Sequence, residues 1–272
     1  MKRLTLCIIA MVLTVALCAS AEVRLKLATT TSTDNSGLLK ELLPPFETMF
    51  DARVDVIAVG TGKALALGEN GDVDIVLVHA RSAEDQFVEK GYGVNRRDVM
   101  YNDFIIIGPA GDPAGVKGMK DAVAALKTIS AKGASFVSRG DDSGTHKCEK
   151  NLWKEVGMEP AGGWYMETGQ GMGATLQVAD EKQAYTLSDT GTFLSYKGKI
   201  ELVPIVDKGD ILLNVYSAIA INPEKHPETK IEMANNLIDF ITSAKIQELI
   251  GNYGVKEYGM QLFVPCAGAE PR

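Results

Sequence analysis

Between Ser138 and His146 the chain reads Ser-Arg-Gly-Asp-Asp-Ser-Gly-Thr-His. The short apolar run Ala134 to Val137 before it has the look of a strand end. Lys147 to Trp153 after it has the look of a helix beginning. A helix that starts here leaves its first backbone N–H groups without intrahelical partners. With the positive end of the helix dipole, those donors favour an anion. Ser143 and Thr145 add hydroxyl donors, and Gly140 and Gly144 let backbone approach a ligand closely. Arg139 supplies a fixed charge and a planar fork suited to oxygen atoms. An ordinary helix cap would use the same Ser and Asp residues, so this stretch alone does not decide between a cap and a site.

Two further turns share its character. Arg24 to Ala28 alternates like a strand, and Thr29 to Thr33 then gives five hydroxyl residues ahead of Asp34-Asn35-Ser36-Gly37 and a leucine-rich helix. Val54 to Val59 is a second strand, Gly60-Thr61-Gly62-Lys63 a turn, and Ala64 to Leu67 the opening of a helix. Ile57 and Ala64 stand where a P-loop needs Gly and Ser or Thr, so a nucleotide site is excluded. Asp74 to Val78 and Arg81 to Lys90 continue the alternation as strand and helix, which predicts an α/β domain with a largely parallel sheet. Asn102 to Pro109 is a strongly β-forming run. Asp121 to Ile129 is a short amphipathic helix, and Gly169 to Gly173 precedes a helix at Ala174 to Glu181. Ala184 to Ser188, Ile200 to Val206 and Leu212 to Ile221 are expected strands. Thr229 to Ile250 is one long helix or a pair. Turns between strand and helix gather at the carboxyl edge of an open α/β sheet, where ligands bind. Three helix N-termini, several hydroxyls and one arginine meeting there would make a nest for a tetrahedral oxyanion.

The chain has 272 residues and a net charge of −7. Lys2 and Arg3, an apolar stretch to Leu17 and the small-x-small triplet Ala19-Ser20-Ala21 make residues 1–21 an export signal, with Glu22 the first mature residue. Cys18 suggests a lipoprotein, but Leu17 and Val15 do not fit a lipobox. An exported protein without an anchor suggests a periplasm. Loss of Lys2 and Arg3 takes the net charge from −7 to −9, which argues against nucleic acid and anionic membrane as partners. Any anion site must then be built locally from aimed donors. Cys148 and Cys266 remain in the mature chain, and in an oxidising compartment they are expected to form a structural disulfide, the alternative being two buried free thiols.

The stretches Thr29 to Leu39, Val59 to Ala64 and Ser138 to His146, with Trp164-Tyr165 and Glu167 to Met172, together resemble the tungstate-binding proteins of bacterial ABC importers. The resemblance covers essentially the whole mature chain. It implies a type II periplasmic binding protein fold: two α/β lobes joined by two crossover strands, with a ligand cleft between them. It implies Thr30, Thr31, Ser32, Thr61, Gly62, Arg139, Ser143, Gly144 and Thr145 as the oxyanion shell. It also implies a monomer that delivers tungstate to the permease and ATPase subunits at the inner membrane, with no cofactor and no metal site. Cys148 departs from the family, where a charged residue is expected. With Asn102 to Gly108 and Leu212 to Ala220 as the crossovers, the expected lobes are residues 22–103 with 214–272, and residues 104–213.

A secreted hydrolase is the alternative from another class. Ser143 and His146 are close, with Asp141 and Asp142 beside them, but Asp141 and Thr145 occupy the glycine positions of a nucleophile elbow. His79, His146 and His226 have no metal-ligand spacing. The expectation is therefore a protein with no catalytic residues. Among oxyanions, molybdate, sulfate and phosphate compete with tungstate. Phosphate keeps a proton at neutral pH and would use a buried carboxylate acceptor, whereas the other three want donors only. Asp141 and Asp142 are accordingly expected to face away from the ligand, with Asp142 bracing Arg139.

Overall fold

The structure, a computed structural model, describes residues 22–269 and 271; the expected export signal at residues 1–21 lies outside them. In chain order the elements are β1 (Val23–Thr30), α1 (Thr31–Asn35), α2 (Leu38–Phe50), β2 (Ala52–Val59), α3 (Thr61–Asn70), β3 (Ile75–Val78), α4 (Arg81–Glu89) and β4 (Gly93–Gly108). There follow α5 (Ala122–Ala131), β5 (Phe136–Ser138), α6 (Gly144–Val156), β6 (Tyr165–Glu167), α7 (Met172–Glu181), β7 (Thr186–Asp189), α8 (Thr190–Tyr196) and β8 (Val203–Val206). The chain closes with β9 (Leu213–Ile221), α9 (Ile231–Ile241), α10 (Ala244–Asn252), α11 (Val255–Tyr258) and β10 (Val264–Pro265).

Apolar spacing explains the first lobe. Leu38, Leu39, Leu42, Leu43 and Phe46 form one buried stripe of α2. That stripe packs with Leu25 and Leu27 of β1 and with Leu237, Ile238 and Ile241 of α9. On the opposite sheet face, α3 and α4 cover Ala28, Val76 and Ile219 with Ala64, Leu65 and Phe87. The second lobe is layered in the same way. Leu126 and Ile129 of α5 and Leu152 and Trp153 of α6 cover Ile106 and Leu187 on one side. Leu176 and Phe193 lie against Ile105 and Ile107 on the other.

β4 joins the lobes. Its 16 residues at about 3.3 Å each span roughly 50 Å. From Gly93 to Asp103 it pairs with β9, and from Phe104 to Gly108 with β7 and β8. The chain leaves the first lobe along β4 and returns along β9, so the two run antiparallel. This corrects the expectation of a largely parallel sheet. β1 is parallel to β2 and β3, but β9 is antiparallel to β3 and β4, and β10 to β4. β4 also begins nine residues before the expected strand. Its first half, with Arg96, Arg97 and Asp98 and two register shifts against β9, lacks the clean alternation that marks a strand in sequence. Of the two alternatives for Thr229 to Ile250, one long helix or a pair, the structure has the pair, α9 and α10, with Thr242 and Ser243 between them.

The expected Cys148–Cys266 bridge does not form, and both residues are free thiols. Cys148 packs on α6 against the apolar cluster of the second lobe. Cys266 follows β10 at an edge of the first lobe's sheet, its N–H donating to the Val99 carbonyl. Burial pushes both thiols up, to about 12 for Cys148 and about 11 for Cys266, which keeps them protonated and unreactive.

Candidate functional site

The three glycine- and hydroxyl-rich turns meet between the lobes. Thr30 ends β1 and caps α1, with Oγ1 accepting from Thr33 N at 3.2 Å. The same oxygen lies 2.6 Å from Thr33 Oγ1, 3.1 Å from Ser32 Oγ and 3.0 Å from His79 Nε2. Thr30 and Ser32 are buried; Thr31 between them is half-buried. Thr61 opens α3 behind the cap Gly60. It is 0 % exposed, and its Oγ1 has no hydrogen-bond partner among the described residues.

Ser143 caps α6, its Oγ accepting from His146 N at 3.3 Å. Helix α6 starts at Gly144, three residues earlier than the sequence suggests, so Gly144, Thr145 and His146 form its first turn. Arg139 is 3 % exposed. Its Nη2 donates to Asp141 Oδ2 at 2.5 Å and its Nη1 to Thr145 Oγ1 at 3.5 Å, while Nε has no partner among the described residues. Thr168 Oγ1 donates to the Arg139 carbonyl at 3.2 Å. Asp141 thus braces the arginine, and its Oδ1 also accepts from Ser143 N at 3.2 Å. This replaces Asp142, the expected brace. Asp142 adopts φ +56°, which turns its carboxylate to Lys147 and Lys150 at 3.5 and 3.3 Å. Gly140, at φ +61°, leaves no room for a larger residue, since a Cβ there would lie 2.7 Å from Glu167 Cβ.

The lobes are in contact at these turns. A Cβ on Gly144 would stand 2.9 Å from His79 Cε1 and 3.2 Å from Thr61 Oγ1. One on Gly62 would stand 3.4 Å from Lys147 Nζ and 3.5 Å from Asp142 Oδ2. Glycine at 144 is what allows the approach there, whereas a Cβ at Gly62 would make only ordinary van der Waals contacts. The expected site residues therefore come together: Thr30, Thr31, Ser32, Thr61 and Gly62 from one side, and Arg139, Ser143, Gly144 and Thr145 from the other.

His79 is the residue that sequence reasoning missed. It stands one residue past β3, at the same sheet edge as Thr30, and that strand-end position was the available signal. Its Nδ1 lies 2.9 Å from Asn214 Oδ1, and its ring stacks on Tyr216 at 4.5 Å. Burial holds the imidazole down to about 4; the Arg139 charge acts in the same direction, while the Asp189 carboxylate and the bond to Asn214 oppose it. Asp189 is itself buried and caps α8, accepting from Thr192 N and Oγ1 at 2.8 and 2.7 Å. Among the described residues no group of three or more His, Cys, Asp or Glu side chains could hold a metal ion.

A buried guanidinium N–H and a buried hydroxyl, both without acceptors among the described residues, lie at the first turns of α6 and α3. Unmade hydrogen bonds of buried donors are costly, and a small anion with oxygens on all sides would satisfy them. This fold and this site define a two-lobed solute-binding protein with an anion cleft. The chain matches the PBP superfamily domain over residues 19–245. It is 51 % identical over 243 residues to the tungstate-binding protein TupA of Peptoclostridium acidaminophilum, covering 89 % of this chain and 85 % of that protein. It is 52 % identical over 251 residues to a putative ABC transporter anion-binding protein of Haloferax volcanii, covering 90 % and 73 %. A crystal structure of the tungstate ABC transporter from Geobacter sulfurreducens superposes with a TM-score of 0.77 at 55 % identity, covering 85 % of this chain and 98 % of that one. The chain belongs to the family of periplasmic tungstate-binding proteins of ABC importers.

Proposed function

We propose that this protein is the solute-binding component of a tungstate importer. It would seat the anion among Thr30, Thr31, Ser32, Thr61 and Gly62 on one lobe and Arg139, Ser143, Gly144 and Thr145 on the other. The lobes are residues 22–103 with 214–272, and residues 104–213. The change of β4's partners from β9 at Asp103 to β7 at Phe104 supports the first boundary. Residues 1–21 direct export to the periplasm, where the closed, loaded form is recognised by a membrane permease served by an ATPase.

The observation that carries this reading is the buried Arg139, held by Asp141 and Thr145, with its Nε lacking a hydrogen-bond partner among the described residues. Calorimetric titration of the purified protein with tungstate, molybdate, sulfate and phosphate tests it. Tungstate is expected to bind at one site per chain, more tightly than phosphate. Absence of heat with all four anions would refute the reading. Tightest binding of phosphate would replace the substrate.

A further inference from the structure

The polarity of the hydrogen bonds around His79 can be followed atom by atom. Asn214 Nδ2 donates to Asn102 Oδ1 at 2.8 Å and to Tyr216 Oη at 3.1 Å. Both N–H bonds of that amide are thereby used, and its Oδ1, 2.9 Å from His79 Nδ1, can only accept. With the Asn214 amide in this orientation, the hydrogen of the neutral ring sits on Nδ1 and Nε2 carries the lone pair. That lone pair faces Thr30 Oγ1 at 3.0 Å and Ser32 Oγ at 3.3 Å, and it takes a hydroxyl hydrogen from one of them.

An oxyanion carrying no proton accepts hydrogen bonds and never donates. When it draws the hydroxyl hydrogens of Thr30 and Ser32 to itself, Nε2 is left as a buried acceptor beside a dianion, which is costly. The fixed charges deepen the conflict. Arg139 is already paired with Asp141, and Asp189 adds a buried carboxylate near the ring. Lys147 at the cleft is paired with Asp142. The charged groups acting on His79 are Asp189 and Arg139. The groups packed on it are neutral: Thr30 and Ser32, Asn214 and Tyr216 on β9, Phe104 on β4, and Gly144 on α6. A proton on Nε2 turns the repulsion into a charge-assisted hydrogen bond.

We propose that His79 couples anion binding to proton uptake: seating a dianionic oxyanion moves one proton from solvent onto Nε2, and the imidazolium so formed donates to the anion. His79 is thereby a specificity element, answering a fully deprotonated anion with a donor and a charge that the empty cleft does not carry. Burial, which keeps the ring neutral before binding, makes the proton part of binding and not a standing feature of the site. His146 cannot play this part. Its Nδ1 accepts the Asp142 N–H at 3.0 Å, and a proton there would break the bond that shapes the arginine turn.

This inference rests on the anion-binding reading of the cleft, and the test separates the two. The exported protein is titrated at pH 7 with tungstate, and with sulfate, which remains a dianion there, in buffers of differing ionisation enthalpy. The slope of observed enthalpy against buffer enthalpy counts protons, and a value near one taken up per anion is expected. Across the pH range where the uptake persists, affinity should fall about tenfold per unit as pH rises. His79→Gln, which places a donor near the Nε2 position without titrating, should bind with a slope near zero and a flat pH profile. His79→Asn, which keeps a donor toward Asn214, guards against a folding defect. The chain has three histidines, so nitrogen NMR of the parent alone can follow the ring. Loading should convert His79 from the Nδ1–H form to imidazolium and leave His146 neutral. Binding with zero slope in the parent, a slope of one that survives in His79→Gln, or an imidazole that stays neutral when loaded would each overturn the proposal. Failure of every anion to bind would overturn the cleft reading, and this inference with it.

Discussion

The two walls of the cleft hold their donors by different means. On the first lobe, Thr30, Ser32, Thr61 and His79 carry no fixed charge, and Thr30, Ser32 and His79 are ordered by hydrogen bonds among hydroxyls, an imidazole and the Asn214 amide. Behind them the buried Glu84 fixes the loop, its Oε1 accepting from Ala80 N at 2.7 Å. On the second lobe the order comes from an ion pair, Arg139 with Asp141, inside a turn that also caps a helix. One wall is neutral and adjustable; the other carries a permanent charge in a fixed place. A binding protein gains from the division. The charged wall supplies attraction that does not depend on pH, and the neutral wall lets donor direction follow the anion's protonation state.

Removing the permanent charge is the most severe way to break this contrast. Arg139→Ala leaves a desolvated dianion without its charged partner, and an affinity loss of about 3 kcal/mol or more is expected. Lysine should restore only part of it, lacking the planar fork. Calorimetry with tungstate decides. If the alanine variant binds like the parent, the charged wall is not the site.

The neutral wall has its own weak point in Glu84. Burial raises this carboxyl to about 7, against the bond from Ala80 N and the charges of Arg81 and Arg96, which pull it down. A carboxyl whose folded pKa lies above its unfolded value, here 4.5, favours the folded state only while protonated. Its contribution is full below about pH 4.5 and is lost as pH rises through about 7. The total is about 3 kcal/mol at 1.36 kcal/mol per unit. Glu84→Gln keeps an acceptor for Ala80 N and cannot ionise, so its melting temperature should exceed the parent's increasingly from pH 5 to pH 8. Parallel profiles for the two proteins would show that Glu84 does not titrate in this window.

Legibility of these walls in the sequence followed the range of the interactions. Helix N-termini and hydroxyl-rich turns are local features, so the turns at Thr29 to Thr33, Gly60 to Lys63 and Ser138 to His146 could be found by reading along the chain. The charged wall was legible down to Arg139, but not the identity of its brace. Choosing Asp141 over Asp142 depends on a positive φ at Asp142, and nothing in two adjacent aspartates announces it. The neutral wall was legible only in part, because His79, Asn102 and Asn214 are joined by contacts 112 and 135 residues apart in sequence. The first half of β4 escaped for the same reason: its partner β9 follows more than a hundred residues later. Pairing Cys148 with Cys266 failed because parity and compartment say nothing about distance; one thiol packs against the second lobe's core and the other lies at the first lobe's sheet edge.

The gentlest test asks whether the two walls act as one. Thr30 and Thr145 lie on opposite sides of the cleft, so both can reach the same anion only when the lobes are closed, as they are where Gly144 meets His79 and Thr61. Removing one hydroxyl, in Thr30→Ala or Thr145→Ala, should weaken binding by about 1 kcal/mol. If each wall acted alone, the double variant would lose the sum. If both act through closure, the first loss shifts the loaded protein toward an open form that uses one wall. The second loss, on the wall then disengaged, should cost less. A ligand drives closure only by its differential affinity for the closed state, so the shortfall measures how much of that affinity the two hydroxyls share. Solution scattering with saturating tungstate should agree, with the parent contracting on loading and the double variant contracting less. Strict additivity together with equal contraction would mean that the walls bind independently, and closure would then have to be explained by contacts outside the anion site.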